Sequence, residues 1–373
     1  MNEKKYITNY NEIIQLLDQI DPIKYGKTRN FIHGAVTQLS PYISRGVLDT
    51  KMIFQHLIQK QYTYYQCEKF IQQLLWREYF QRVWQTKKSF IDHDLKYKQE
   101  NVSNWGIPTS INNAQTTIDA IDEGIKKLKA VGSMHNHLRM YVASLSCNFG
   151  NSHWIHPAEW MYYYLLDGDW GSNALSWQWV AGTFSNKKYI ANQENINYYT
   201  GINQSNTFLN KSYEVLQSLS TPAELKNHEV IEFKTNLPQN KSIQIDHSRP
   251  ILVYNYYNLS PIWRPDMKAN RILLLEPAIF EKYPVSDHCI SFMMELSSNI
   301  KDIQIFTGSF EELKSKTANS TIYYREHPLN EHYRGIEDPR PWILPDADQA
   351  TGSFFSFWKK NEKKLRLLFS NKN

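Results

Sequence analysis

Residues 164–182 read YLLDGDWGSNALSWQWVAG, and this stretch constrains the interpretation of the whole chain. Asp167, Asp169 and Asn173 cluster in and after a short glycine-broken loop, a pattern that predicts a ligand, a metal ion or a charged partner. Two tryptophans follow within ten residues, and buried indoles usually belong to a core. A D-x-D pair can also hold Mg²⁺ beneath a sugar nucleotide, so this motif alone leaves glycosyl transfer open as an alternative.

Three upstream motifs combine polar and aromatic residues in the same way. HGAVTQLSPYISRG (33–46) contains a helix start at Ser40-Pro41, which predicts either an ordinary N-cap or a phosphate site. QQLLWREYF (72–80) places a polar, aromatic and cationic face on one helix, which suits a half-exposed helix or the wall of an anion-binding pocket. In GSMHNHLRMYVAS (132–144) the two histidines are two residues apart, so on a helix they cannot share a metal, and no metal is expected.

Composition indicates a folded protein of 373 residues with 41% hydrophobic and 21% charged residues. The aromatic content, 14% with 11 Trp and 24 Tyr, is higher than packing alone requires. The net charge of +5 does not by itself indicate a nucleic-acid binder, but residues 51–100 carry nine Lys or Arg against five acids. Three widely spaced cysteines favour a reducing compartment, and no signal peptide or membrane span is apparent, so we expect a cytoplasmic protein.

Hydrophobic periodicity predicts a large helical region followed by a small α/β region. Apolar residues recur at helical spacing from about residue 9 to 199, and a polar, turn-rich segment follows. Four short apolar runs then read as strands, with a helix between the second and third: 251–256, 271–276, 303–308 and 321–324. We therefore predict a mainly α domain over 1–205, a linker or irregular wrap over 206–247 and a small α/β domain over 248–373.

The motifs LSPYISRG, LLWREYF, MHNHLRM, LLDGD with SN, and WQWVAG occur in the order and approximate spacing of a known domain. Over about residues 25–182 the chain resembles the helical FAD-binding domain of DNA photolyases and cryptochromes. The resemblance implies FAD bound in a folded conformation beside a DNA-binding cavity. It also implies that the α/β antenna domain that usually precedes the helical domain is missing here.

The resemblance assigns roles to individual residues. The phosphate-side binders would be Tyr25, Thr37, Gln38, Leu39 and Ser40. The residues around the adenine and flavin rings would be Phe70, Gln73, Arg77, Asn136, Arg139, Asp167, Asp169 and Asn173. An arginine and carboxylates near a flavin can stabilise a reduced anionic ring and fix its hydrogen-bonding edge.

Further roles follow from the same resemblance. Trp177 and Trp154 match the inner positions of the family's tryptophan relay, and the outer position falls to Trp105, with Trp84 or a tyrosine as alternatives. Asn173 would face flavin N5, as is typical of repair enzymes. Asn136 and Met140 replace the histidine pair of (6-4) photolyases, which favours cyclobutane dimers.

The expected activity is light-driven repair, in which reduced FAD passes an electron to a flipped cyclobutane pyrimidine dimer. Trp76 would stack on the lesion, whereas Gln73 stands where photolyases carry a glutamate, which weakens the inference of repair. The alternative is a non-repairing, cryptochrome-like light or redox sensor. Damaged or single-stranded DNA is the expected partner, contacted by basic residues: Arg77, Arg82, Lys87, Lys88 and His137.

Overall fold

The structure, a computed structural model, describes residues 6–240, 242–317, 320–347 and 352–370. Its α-helices, in chain order, are α1 (Tyr10–Gln15), α2 (Pro22–Thr28), α3 (Ser40–Ser44), α4 (Thr50–Gln59), α5 (Tyr64–Lys87), α6 (Thr109–Asn112), α7 (Asp119–Val131), α8 (Asn136–Ser144), α9 (Ile155–Tyr164), α10 (Trp170–Ala181), α11 (Gln193–Thr200), α12 (Tyr213–Gln217), α13 (Pro277–Lys282), α14 (Asp287–Ser297), α15 (Phe310–Lys316) and α16 (Phe354–Ser370). The strands are β1 (Ile107–Pro108), β2 (His228–Glu229), β3 (Ile251–Tyr254), β4 (Asn270–Leu275), β5 (Ile303–Thr307), β6 (Ile322–Arg325) and β7 (Ile336–Asp338). The predicted fold class, mainly α with a small C-terminal α/β part, is confirmed.

The described residues form two compact units whose segments alternate along the chain. The first unit contains residues 27–36 and 87–233, and the second contains 6–26, 37–86 and the described part of 234–370. The chain therefore passes between units inside the region predicted as one helical domain. The domain limits given above stay a prediction.

The first unit is built on α7 to α11, with α10 packed against both α8 and α9. Helix α7 buries Ile121, Ile125 and Leu128 on one face. Gly124 lies on the same face, and an added Cβ would come within 2.8 Å of Leu138 in α8, so the two helices approach closely there. The short strands β1 and β2 pair antiparallel and tie the turn-rich segment after α11 back to the helical core.

The second unit contains a parallel five-stranded sheet in the order β5-β4-β3-β6-β7. All ten residues of β3 and β4 are buried, which explains why these central strands are continuous apolar runs in the sequence. Alternate strand residues such as Ile251, Val253, Ile272 and Leu274 share one core with Phe306. The four predicted strands are confirmed in this sheet. The sequence did not predict its fifth strand, β7, whose three residues are charged or exposed, nor the two-residue strands β1 and β2.

Helix α5 and the C-terminal segment pack together inside the second unit. The buried carboxylate of Glu78 accepts hydrogen bonds from Thr50 Oγ1 at 2.8 Å and from the Ile343 N–H at 2.6 Å. Burial raises the pKa of this carboxyl. Tyr79 donates its hydroxyl to the Gly352 carbonyl at 2.6 Å. These contacts hold Ile343 and Gly352 of the C-terminal segment against α5.

Candidate functional site

In the first unit, an ion pair joins α8 to the loop before α10. Arg139 Nη2 lies 2.9 Å from both carboxylate oxygens of Asp167, and Arg139 Nε donates to the Met134 carbonyl at 2.9 Å. The side chains are 24% and 10% exposed, respectively, so the pair is largely withdrawn from water. The guanidinium is thus fixed in one orientation by two partners.

Asp169 starts α10 and sets the position of the residues that follow. Its Oδ1 accepts the Ser172 N–H at 2.8 Å, the usual bond of an N-cap aspartate, and Gly182 ends the helix with φ of 85°. Asn173 lies in the first turn and donates its amide to the Ala158 carbonyl at 2.9 Å. Trp177 follows one turn later on the same face and is buried.

These contacts decide between two interpretations of the D-x-D motif. Asp167 is paired with Arg139, and Asp169 caps a helix, so both carboxylates already have protein partners. A Mg²⁺ site for glycosyl transfer would need these oxygens, and the structure does not favour that alternative.

Helix α8 presents the remaining predicted residues of this unit. Asn136 is exposed at its first position, and Met140 Sδ lies 3.9 Å from the Asn136 amide nitrogen. His135 caps the helix instead of lying in it, and burial lowers its pKa to about 4. His137 stacks on Tyr141 at 5.0 Å, and burial lowers its pKa as well, so its ring is neutral near pH 7 and offers no charge to a DNA phosphate.

In the second unit, the predicted phosphate-side residues lie around α2 and α3. Tyr25 meets Phe70 edge-on at 4.8 Å between ring centroids. Gln38 has φ of 55°, Leu39 is buried, and Ser40 begins a five-residue helix instead of capping it. Thr37 is half-buried in the same turn. Phosphate binding by these residues stays a prediction.

The face of α5 that carries Gln73, Trp76 and Arg77 is half-buried. Arg77 Nη2 donates to Ser44 Oγ at 2.7 Å. Trp76 stacks on Phe354 of α16, with ring centroids 3.7 Å apart and planes 13° apart. A side chain of this protein therefore covers the indole that the sequence assigns to a lesion.

The basic residues predicted to contact DNA divide into two groups. Lys87 and Lys88 are exposed, as the prediction requires. Arg82 is 6% exposed, donates to the carbonyls of Leu344 and Ala347, and lies over the Trp342 ring. A buried guanidinium that joins α5 to the C-terminal segment cannot meet a phosphate, so its assignment to DNA binding was wrong.

The three predicted relay tryptophans all lie in the first unit. Trp177 in α10 and Trp154, directly before α9, are buried, and α9 packs against α10. Trp105 is 64% exposed and stacks on His153 with 4.3 Å between centroids. His153 in turn lies 5.8 Å from Trp154, so an aromatic chain leads from a buried indole to the surface. Trp84, the alternative, is buried in the second unit.

The donor set of the first unit suits a flavin. The guanidinium of Arg139, the exposed amide of Asn136 and the amide of Asn173 are groups that can form hydrogen bonds with a polar ring edge. Within the described residues, Ser172 Oγ is buried without a hydrogen-bond partner, although it lies next to Asn173 of this set. A bound polar ring would give such an atom a partner, and we conclude that the residues present fit FAD.

The comparisons with known proteins agree with this reading. A family model described as the FAD binding domain of DNA photolyase matches residues 70–255. The deoxyribodipyrimidine photo-lyase of Alkalihalophilus pseudofirmus is 24% identical over 224 residues, which are 57% of this chain and 47% of that protein. Cryptochrome DASH of Synechocystis is 27% identical over 172 residues, 42% of this chain and 34% of that protein.

Among solved structures, a Synechocystis cryptochrome matches with a TM-score of 0.46 at 23% identity, over 52% of this chain and 44% of that one. The chain spans less than half the length of these curated relatives. The family match identifies FAD as the cofactor of the matched domain.

Sequence reasoning missed two groups that touch the predicted site residues. Asp94 accepts the Trp154 indole N–H, and the only sequence signal was the D-x-D spacing of Asp92 and Asp94, which resembles that of the loop before α10. Phe354 covers Trp76, and the aromatic run FFSFW at 354–358 could have marked it.

We expect Asp167→Ala to destabilise the protein by about 2 kcal/mol, because Arg139 would lose its partner in a partly desolvated position. FAD occupancy, measured by flavin absorbance per protein, should fall in the same variant. Denaturant unfolding measures the stability. Glu123→Ala is the control, since it removes an exposed ion pair with Lys126 and should cost about 0.5 kcal/mol or less. Equal effects of the two substitutions would contradict the role given to Asp167.

Proposed function

Because residues 70–255 of this chain form an FAD-binding domain of the DNA photolyase family, we propose that the protein is a light-driven DNA repair enzyme. Reduced FAD, when bound and excited by blue light, supplies an electron to a cyclobutane pyrimidine dimer, whose ring splits before the electron returns. Relatives named deoxyribodipyrimidine photo-lyase support this activity class at low identity. The substrate, and a cytoplasmic location, are part of the proposal.

The observation that carries the proposal is the arrangement around α10. Arg139 is fixed by Asp167, so its positive charge is available at one place and favours an anionic ring. Asn173 is fixed by Ala158 and would present its side-chain oxygen to the flavin edge. Trp177 lies one helical turn away, which suits an electron donor to the same ring.

The protein's own tryptophans would return the cofactor to its reduced form. In this proposal Trp177 donates first, Trp154 refills Trp177, and Trp105 refills Trp154 from the surface. The buried positions of the inner two exclude water, whereas exposed Trp105 can meet an external reductant. The aromatic chain through His153 supports this direction of transfer.

DNA would be held by exposed charge. Lys87 and Lys88 are exposed where α5 ends, and Lys or Arg side chains that neutralise phosphates release counterions. Arg77 remains in the proposed set, half-buried and bound to Ser44. Arg82 and His137 supply no accessible charge, so the basic surface is smaller than the sequence suggests.

The stack of Phe354 on Trp76 favours a second candidate, a cryptochrome-like sensor that binds FAD and repairs nothing. With Phe354 in place, one face of the Trp76 ring is covered and a lesion base cannot stack there. Gln73 also favours the sensor, because an amide cannot share a proton with a base radical anion as a carboxyl group can. Base stacking on an aromatic ring contributes about 1–3 kcal/mol, so losing it would weaken lesion binding substantially.

We expect Trp177→Phe to slow the blue-light reduction of bound FAD by an external reductant at least about 100-fold, because phenylalanine is far harder to oxidise than indole. A roughly 100-fold slower rate corresponds to an increase of about 2.7 kcal/mol in the activation barrier. FAD binding should be unchanged. Flavin bleaching under constant illumination measures the rate. Trp160→Phe is the control, since it removes an equally buried indole in α9 that lies outside the proposed relay. Unchanged photoreduction in Trp177→Phe would show that another residue donates the electron.

We expect Phe354→Ala to raise the yield of dimer repair on ultraviolet-irradiated oligonucleotide, because it uncovers Trp76. Dimers split per absorbed photon are counted with fully reduced FAD. Phe357→Ala is the matched control, since it removes another buried α16 ring that contacts Tyr79 rather than Trp76. If neither the wild type nor Phe354→Ala repairs dimers while FAD is bound and reduced, the repair function is excluded and the sensor remains as the proposed function.

A further inference from the structure

The indole N–H of Trp154 has a carboxylate partner, Asp94, whose side chain is 20% exposed. Trp154 Nε1 donates to Asp94 Oδ1 at 2.8 Å, and the Trp154 side chain is fully buried. The other oxygen, Asp94 Oδ2, accepts the Gln99 N–H at 2.8 Å. Both oxygens act as acceptors, which suits an ionised carboxylate held ready beside the indole.

His153 contacts both the carboxylate and the tryptophan at the surface. Its Nε2 lies 3.3 Å from Asp94 Oδ1, and its Nδ1 accepts the Ile155 N–H at 3.4 Å, which assigns the ring proton to Nε2. Burial lowers the pKa of this imidazole, so a neutral ring donates to Asp94 near pH 7. The same ring stacks under Trp105.

We propose that Asp94 is the proton acceptor of Trp154 during electron transfer, and that His153 is the positioning residue that orients Asp94 and joins Trp154 to Trp105. This inference rests on the proposed light-driven relay, in which an excited oxidised flavin is the electron acceptor. The inference identifies the group that takes the indole proton of Trp154, which the electron relay alone does not specify.

The step balances as a proton-coupled electron transfer. Trp154 gives one electron to oxidised Trp177, its Nε1–H bond breaks, and the proton forms an O–H bond on Asp94. A neutral Trp154 radical and a neutral carboxylic acid result. When Trp105 then gives an electron to Trp154, Asp94 returns the proton to Nε1, and the positive charge reaches the surface, where water can take the Trp105 proton.

Geometry and burial both require a local acceptor. An indole that has lost an electron is a far stronger acid than neutral indole, and a base at 2.8 Å lies within the range for direct proton transfer. The fully buried Trp154 side chain has no contact with solvent that could take the proton instead. Since the radical becomes neutral, the electron cannot simply return from the flavin until the proton also returns, which prolongs the separated state.

A second pair in the same unit provides a control. Trp170 Nε1 donates to Asp92 Oδ1 at 2.7 Å, and Trp170 is buried. This contact is the same hydrogen bond on an indole outside the relay. A merely structural role for Asp94 would make the two aspartates equivalent, whereas proton acceptance during transfer applies to Asp94 alone.

The test compares Asp94→Asn with Asp92→Asn in FAD-loaded protein after a blue flash. Transient absorption distinguishes the cationic tryptophan radical from the neutral one. Asparagine keeps an acceptor oxygen but cannot take a proton, so we expect the cationic radical to persist roughly tenfold longer in Asp94→Asn, equivalent to about 1.4 kcal/mol in the barrier to deprotonation. Asp92→Asn should match the wild type. Equal lifetimes in all three proteins would overturn the proposal.

A second arm removes the dependence on FAD. A ruthenium polypyridyl photo-oxidant oxidises the exposed Trp105 in FAD-free protein, and Trp154→Phe identifies the signal from Trp154. Suppose that the cationic Trp154 radical lives longer in Asp94→Asn in the ruthenium experiment, while the flash experiment shows no flavin reduction. Asp94 would then be supported as the proton acceptor, and the flavin relay would be refuted. Absence of any Trp154-dependent signal in both arms would overturn the proposal.

A third measurement needs no variant of Asp94. Light-induced infrared difference spectra of the wild type should show the carbonyl band of a newly protonated carboxylic acid, shifted in D₂O. The band should be lost in Trp154→Phe. A Trp154 radical without this band would contradict proton transfer to Asp94.

Discussion

The Arg139–Asp167 ion pair is the interaction on which the rest of the site depends. It joins α8 to the loop before α10, and Asp169 then fixes where α10 starts. Because a helix sets side-chain direction by residue count, this start places Asn173 and Trp177 on one face. A largely desolvated pair is costly to break, so the loop that starts α10 is held in place before any ligand binds. One local constraint therefore positions both the polar face and Trp177, the proposed electron donor.

The second unit shows a different constraint, in which burial of charge decides what a residue can do. Glu78 and Arg82 lie on α5 next to the residues assigned to lesion and cofactor, yet both are buried and bind the backbone of the C-terminal segment. They hold residues 343–347 against α5, and Phe354 at the start of α16 stacks on Trp76 of the same helix α5. In the proposed function, repair and sensing differ by whether this contact between Phe354 and Trp76 opens. No helix among the described residues is both long and apolar enough to cross a membrane.

Much of this was readable from the sequence, for identifiable reasons. The central strands are continuous apolar runs because both sheet faces are buried, and the α10 motif combines a cap, a polar turn and indoles in fixed order. The solvent exposure of individual side chains could not be predicted from the sequence. Arg82 and Lys87 lie in the same basic stretch, yet tertiary packing buries Arg82. Contacts between distant segments, such as Asp94 with Trp154 or Phe354 with Trp76, leave no periodic signal. The roles of individual site residues stay predictions.

The absorption spectrum of the purified protein, before and after blue light with an external reductant and without oxygen, tests the central claim most directly. The account predicts the bands of bound oxidised flavin, their bleaching under light, and release of non-covalent FAD on heating. A colourless protein that takes up no FAD on reconstitution would contradict the account, and bound FAD that light does not reduce would contradict the relay.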